Sequence, residues 1–468
     1  MVASVPFTLL NSIIGSALLA AVVTEGAVPF PRGEVVPDLA AAHDPAQTYA
    51  LYAPRSVDPA KPAPILYLLD PRGRALVPIE RFRAAADATG VVLASSYRSR
   101  SDVADDPNLP ALQAMWADTH ARLRIDDARV YVAGFSGTAR AACYMADAAP
   151  GAIAGVIGAG AGFPYERRPR RDLPFLYFGA VGDTDFNYGE MQELERRFAD
   201  LGLVYRLEVF PGGHDWMTGE VATAALRFLE LRAVRDGRRP GDSDLVAAAF
   251  ARDAERARTL EAAGRAFEAA RQWSWIARDY EGLRDVDEAR ARAAALAAAA
   301  RRDEGERVAR ERREERRVEQ AQAVLARAVS GGDEPWPPAR VVAQIDVERL
   351  RKRAPEDSEE GRSARRVLNA VFVQAAHYLP RDAHRRGEDG RAALYLFVAA
   401  AIRPEDPQVW YRLAAAESRS GHRRQAVEAL GKAVEAGFAD AERLGADPDF
   451  ERLRPDPEFQ AVAARVGR

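Results

Sequence analysis

From Thr48 to Leu231 short β-branched and aromatic runs alternate with amphipathic stretches, and this alternation constrains the chain more than any other feature. A run of four to seven apolar residues suits a strand buried on both faces, and a helix must follow it before the next parallel strand can form. The expected strands are Tyr49–Ala53, Pro64–Leu69, Val91–Ser95, Arg129–Gly134, Ala154–Gly158, Phe175–Ala180 and Tyr205–Phe210. Helices are expected at Ile79–Ala88, Leu112–Leu123, Gly137–Ala148, Gly189–Leu201 and Val221–Arg235. The pattern predicts a mostly parallel sheet flanked by helices over residues 46–235.

Beyond Arg235 the strand signals stop. DGRRPGDS reads as a linker over 236–243, and Ala, Arg and Glu then dominate a helical region over 244–329. Within it GERVARERREERRVEQAQ carries both charge signs at helical spacing, which predicts one long solvated helix. The interleaved Glu residues argue against a basic stripe for nucleic acid, as does a net charge of −3 over the 468 residues. No nucleic-acid partner is expected. SGGDEPWPP opens a connector over 330–363 with one short helix.

Residues 364–468 carry a 34-residue spacing. Trp410, Leu413, Gly421, Ala426, Leu430 and Ala433 recur one period earlier as Ala376, Leu379, Gly387, Ala392, Leu396 and Ala399, with Pro404 closing the first copy. Small residues at Ala392 and Ala426 allow paired helices to approach closely. Pro380 and Phe438 depart from the pattern. The spacing resembles tetratricopeptide repeats, which implies an all-α region binding a protein partner or shielding the site.

Val5 to Val23 is nearly continuous apolar sequence, so residues 1–30 are expected to be a signal peptide or membrane anchor, although no Lys or Arg precedes Arg32. Membrane contact is expected only through this segment. Export or anchoring follows, with a cytoplasmic location as the alternative. The single cysteine, Cys143, excludes an intrachain disulfide and a cysteine zinc cluster, and its place on a small-residue helix predicts an inert thiol.

The chemistry centres on VAGFSGT, where a strand runs into Ser136 and then into a helix. A strand, turn and helix in this order is the context of a nucleophile elbow, whose flanking residues must be small. Gly134 satisfies this and Thr138 does not. A serine needs a base, and of six histidines only His214, in FPGGHDW after the last expected strand, follows the serine at a strand end. The acid belongs after the preceding strand, in GDTDFNY. Asp185 is preferred because it lies three residues after Gly182; Asp183 is the alternative. For the oxyanion, the expected donors are the amide of Gly137 and one from the loop LDPRGR, where Pro71 has none and Arg72 or Gly73 remains.

These motifs, LDPRGR, AGFSGTAR, GDTDFNY and PGGHDW, resemble those of the dienelactone-hydrolase and polyhydroxybutyrate-depolymerase-like esterases. The resemblance implies an α/β-hydrolase fold that needs no cofactor or metal and cleaves a small-molecule or polymer ester, or a thioester, through an acyl-enzyme on Ser136, Asp185 and His214. Thr138 motivates an alternative, an interaction scaffold that keeps the fold without turnover.

Overall fold

Strands of buried β-branched and aromatic residues assemble one eight-stranded sheet in the order β1-β2-β4-β3-β5-β6-β7-β8. They are β1 (Val35–Ala41), β2 (Asp44–Tyr52), β3 (Ala63–Leu69), β4 (Val92–Ser96), β5 (Ile125–Phe135), β6 (Gly155–Ala159), β7 (Leu176–Gly182) and β8 (Tyr205–Phe210). The computed structural model describes residues 31–164, 167–330 and 336–467. The apolar segment Val5–Val23 lies outside them. Among the described residues no helix is long and apolar enough to cross a membrane.

β3 to β8 pair in parallel, whereas β2 pairs antiparallel with both β1 and β4. β1 was not expected, because its half-exposed sequence VVPDLAA is interrupted by Pro37 and Asp38 and lacks the unbroken apolar run of a central strand. His43 sits in the β1–β2 hairpin.

Alternate side chains of each strand feed two cores. Ile65, Tyr67 and Leu69 join one with residues of α2 (Asn108–Arg122), α3 (Gly137–Ala148) and α4 (Tyr188–Leu201). Leu66 and Leu68 join the other with α1 (Leu76–Thr89) and α5 (Gly219–Arg235). A doubly covered, mostly parallel sheet in this strand order is the α/β-hydrolase fold. It places the C-terminal ends of β5, β7 and β8 along one edge, where ligands of such sheets bind.

Two compact units divide the chain after Val308. The first includes a helical pair, α6 (Ser243–Ala262) and α7 (Ala266–Asp279), that covers β8. The contact is ionic as well as apolar. Arg206, on β8 and fully buried, bonds Asp253 of α6 at 2.7 Å and Asp279 of α7 at 3.0 Å. Next to it Glu208 accepts a forked pair from Arg252 at 2.7 and 2.9 Å. Burial pushes Asp279 upward, but Arg206 and Arg278 outweigh it and hold the carboxyl below its ordinary range.

α8 (Asp287–Ser330) spans the division. The second unit is helical throughout its described residues: α9 (Pro338–Ile345), α10 (Val347–Arg353), α11 (Glu359–Val373), α12 (Leu379–Arg385), α13 (Asp389–Ile402), α14 (Pro407–Arg419), α15 (Arg423–Glu435), α16 (Ala441–Ala446) and α17 (Pro457–Ala463), with a short 3₁₀ turn at Pro448–Leu453. Two short helices, not one, precede α11. The positions at 34-residue spacing take equivalent places: Ala392 and Ala426, Leu396 and Leu430, and Ala399 and Ala433 are all buried. Gly387 and Gly421 end their helices at φ of 72° and 80°, the left-handed stop that glycine permits. Pro380 is accommodated by a π-helical stretch at Gln374–Tyr378, which shifts the hydrogen-bond register just before the residue that has no amide to donate.

The buried charges give a test. Replacing Arg206 by Met removes the buried cation that bridges Asp253 and Asp279 and leaves them the flanking Arg252 and Arg278, and removing one partner of such a buried group costs up to about 3–5 kcal/mol. In the native protein the contribution of the depressed Asp279 is present above the ordinary carboxylate range and is lost as pH falls through its lowered pKa. The variant's carboxylates instead take up protons as pH falls. Thermal melts are therefore expected to show a large deficit for Arg206→Met at neutral pH that narrows toward about pH 4.

Candidate active site

The backbone at Ser136 adopts φ 56° and ψ −127°, a conformation that a non-glycine residue rarely holds. Its neighbours show why it persists. Gly134 has no room for a side chain, since a Cβ there would meet the Thr138 carbonyl oxygen at 2.3 Å and the Ala139 nitrogen at 2.5 Å. The Ser136 amide donates to Ala159 O at 2.8 Å. Thr138, expected to crowd the turn, instead ties it down: its buried hydroxyl lies within bonding distance of the Leu69 and Phe135 carbonyls and accepts from the Phe135 amide at 3.1 Å. The elbow is thus joined to the end of β3.

The strain points the serine hydroxyl at His214. Ser136 Oγ lies 2.9 Å from His214 Nε2, and His214 Nδ1 lies 2.9 Å from both carboxylate oxygens of Asp185. Asp185 is fully buried, and its Oδ1 also accepts the Asn187 amide at 2.8 Å. The imidazole is held between two rings, with Phe135 at 4.6 Å and Phe186 at 4.2 Å between centroids. These rings give the imidazole apolar neighbours that do not compete for its hydrogen bonds.

Of the two acids in GDTDFNY, only Asp185 reaches the imidazole. Asp183 turns to the histidine loop, where Oδ1 accepts the Gly212 amide at 3.0 Å. Both loops approach closely because Gly182 is bare, as a Cβ there would lie 2.3 Å from the Gly213 oxygen.

The loop after β3 differs from expectation. The Arg72 amide donates to Asp70 Oδ1 at 2.8 Å, and the Gly73 amide to the Asp70 carbonyl at 3.0 Å. Neither is an unengaged donor, so the placement of Arg72 in an oxyanion hole is corrected. An aspartate two residues ahead closes a turn on its own chain before any ligand arrives. Burial pushes Asp70 upward, but bonds from Arg74, Trp216 and the Arg72 and Arg74 amides outweigh it and hold the carboxyl below its ordinary range. The Gly137 amide, one residue past Ser136 at the start of α3, has no acceptor among the described residues. Ser101 covers this glycine, and a Cβ there would lie 2.4 Å from its own Cβ.

Two residues near the site are structural. Trp216 is buried and donates from Nε1 to Asp70 Oδ2 at 2.9 Å, and Arg140 forks onto Glu190 at 2.7 Å. Cys143 is fully buried, and burial pushes its thiol far above the ordinary range, so it stays protonated. Among the described residues no cluster of His, Cys, Asp and Glu is placed to hold a metal.

Gly160 and Asn187 were not read from the sequence as site residues. Gly160 has φ 60°, and a Cβ there would lie 3.0 Å from Asp185 Oδ2 and 3.1 Å from His214 Nδ1. Asn187 Nδ2 holds its carbonyl at 2.7 Å. The signal available was a glycine at the end of β6, but GAGAGF offers three and only the fold distinguishes them.

No family model matches the sequence, and no curated protein does. Among solved structures the chain is similar to the S-formylglutathione hydrolase of Staphylococcus aureus, at 14% identity over 43% of this chain and 99% of that one, with a TM-score of 0.35. It is also similar to the feruloyl esterase module of Clostridium thermocellum in complex with sinapinate, at 14% identity over 43% and 88%, TM-score 0.31. An esterase of Pyrobaculum calidifontis aligns at 14% identity over 49% and 94%, TM-score 0.35.

Gly160 supplies a test of how the acid and base are held. Gly160→Ala adds a methyl group against both partners and places alanine in the left-handed region, at a cost of about 1–2 kcal/mol. The folded variant is expected to lose most fluorophosphonate labelling of Ser136, while its melting temperature falls only by the amount that backbone cost implies. Undiminished labelling would show that the Asp185–His214 contact does not depend on this glycine.

Proposed function

We propose that the protein is a serine hydrolase cleaving a carboxylic ester or thioester through an acyl-enzyme. The observation that carries this reading is the unbroken chain from Ser136 Oγ through His214 to buried Asp185, each link 2.9 Å, at a serine whose backbone is strained into the elbow conformation. In the first half-reaction His214 Nε2 accepts the hydroxyl proton as Oγ attacks the acyl carbon. Asp185 fixes the ring so that Nδ1 carries the other proton, and its charge stabilises the imidazolium that forms. In this reading the Gly137 amide, which has no acceptor among the described residues, donates to the oxyanion. Collapse of the tetrahedral intermediate expels the alcohol or thiol with the proton from Nε2. Water then repeats the sequence on the acyl-serine and restores the hydroxyl.

The alternative of a non-catalytic scaffold rested on distortion of the elbow by Thr138. That residue is bonded into the turn instead, and the serine keeps its hydrogen bond to His214, which favours the enzyme. For the second unit we propose tetratricopeptide-like helical repeats over 364–468 that bind a protein partner. For residues 1–30 we propose an export or anchoring segment, to be checked by fractionating cells that express the full chain.

The enzymatic reading is tested with short acyl esters of p-nitrophenol. Hydrolysis by the native protein is expected, with Ser136→Ala lower by roughly 10⁴–10⁶-fold. Equal rates in the two proteins would refute it. In the same assay Asp185→Asn is expected to lose on the order of 10⁴-fold in kcat. Asp183→Asn, whose amide oxygen can still accept the Gly212 amide, is expected to stay within about tenfold, since even loss of that bond is worth only roughly 1 kcal/mol.

A further inference from the structure

We propose that a cleft in the second unit, between α8, α10 and α11, is a binding site for a small phosphorylated anion. The cleft has a volume of about 200 Å³, and Arg310, Arg313, Arg317, Arg349 and Arg353 converge on it with Glu360. Three of these arginines come from α8 at positions i, i+3 and i+7, so they share one helical face.

The carboxylates that might neutralise them are committed elsewhere. Glu314, on α8 itself, turns to α11 and bonds Arg366 with both oxygens, at 2.7 and 2.8 Å. Glu359, at the rim of the cleft, accepts from Arg366 on Oε1 at 2.7 Å and from Arg362 on Oε2 at 3.0 Å. Arg349 pairs with Asp346 at 2.5 Å, and Arg353 reaches Glu356 only at 4.0 Å. Among the described residues Arg310, Arg313 and Arg317 have no ion pair, leaving Glu360 as the only uncommitted acid lining the cleft.

A mixed-charge helix has acids available to face an arginine pair on its neighbour. α8 presents three more arginines there instead. Like charges gathered around a cavity repel, and an anion between them removes the repulsion. Guanidinium forks match phosphoryl oxygens two at a time. The size selects a small ligand, because sites for drug-sized molecules run to roughly 300–1,000 Å³. A nucleic acid needs a continuous basic track, and Glu311, Glu315 and Glu319 on the remaining faces of α8 break it.

The experiment titrates the full chain with pyrophosphate at constant ionic strength, read by calorimetry and by melting temperature. Saturable binding with a rise in melting temperature is expected. In the double variant Arg313→Gln/Arg317→Gln, affinity is expected to fall at least tenfold. Because these exposed arginines repel one another in the empty cleft, the unliganded variant is expected to melt no lower than the native protein, which separates lost binding from lost folding. Arg312→Gln, exposed on the same helix but outside the cleft, is expected to bind as the native chain does. Absence of saturable binding would overturn the proposal, as would undiminished binding by the double variant. Tighter binding of a short single-stranded RNA than of pyrophosphate would overturn the small-anion assignment.

Discussion

The geometry around Ser136 depends on a backbone that is unfavourable in isolation. A residue held at φ 56° costs of order 1–3 kcal/mol and persists only where the surroundings leave no alternative. Here the surroundings are specific. Gly134, the penultimate residue of β5, is bare because any Cβ would strike the first turn of α3, and Thr138 bonds that turn to the end of β3. The strain is offset by two strands and a helix that are themselves buried in both cores of the sheet. A serine in a relaxed turn would not reach the imidazole and also leave the Gly137 amide unengaged.

The remaining two members of the constellation reach the serine by close loop approach rather than by rigid elements. Asp185 and His214 follow neighbouring parallel strands, β7 and β8, so the pairing of Gly182 with Phe210 already brings their loops alongside each other. Bare glycines then let the loops touch: Gly182 against Gly212 and Gly213, and Gly160 against both the acid and the base. Asp183 contributes by capping the histidine loop at Gly212. The two acids thus have separate tasks, and burial separates them. Asp185 is inaccessible and meets the ring, while Asp183 stabilises the backbone that carries the ring.

Much of this was legible in the sequence because parallel strands announce themselves as apolar runs and their C-terminal ends are where side chains converge. Six of the eight strands, β3 to β8, the elbow at Ser136, the histidine after paired glycines and the acid three residues past Gly182 all follow from that logic, and β2, though antiparallel, carries a similar buried run at Tyr49–Tyr52. What was not legible depends on contacts between distant segments. β1 pairs antiparallel at the edge, where a half-exposed strand needs no apolar run. Arg72 was expected to offer an amide because the loop's position is right, but Asp70 takes that amide through a local turn, and nothing in LDPRGR distinguishes a free donor from one bonded two residues back. Thr138 read as an obstruction because steric bulk is visible in a sequence and a partner carbonyl on another strand is not.

The helical sequence shows the same division between periodicity and partnership. A 34-residue spacing is visible because each buried alanine and leucine must return to the same helical face, and Pro380 is tolerated where a π stretch resets the hydrogen-bond register. The pairing of charges is not visible, since a helix such as α8 carries both signs in nearly equal measure and its composition says only that it is solvated. Which face receives the acids is decided by the neighbour: Arg366, almost fully buried on α11, requires Glu314 and Glu359 together, because a guanidinium removed from water needs more than one carboxylate oxygen to compensate its lost hydration. Meeting that requirement draws both carboxylates toward Arg366 and leaves the adjoining face of α8 with arginines alone. The unbalanced charge at the cleft is therefore a consequence of the balanced charge beside it.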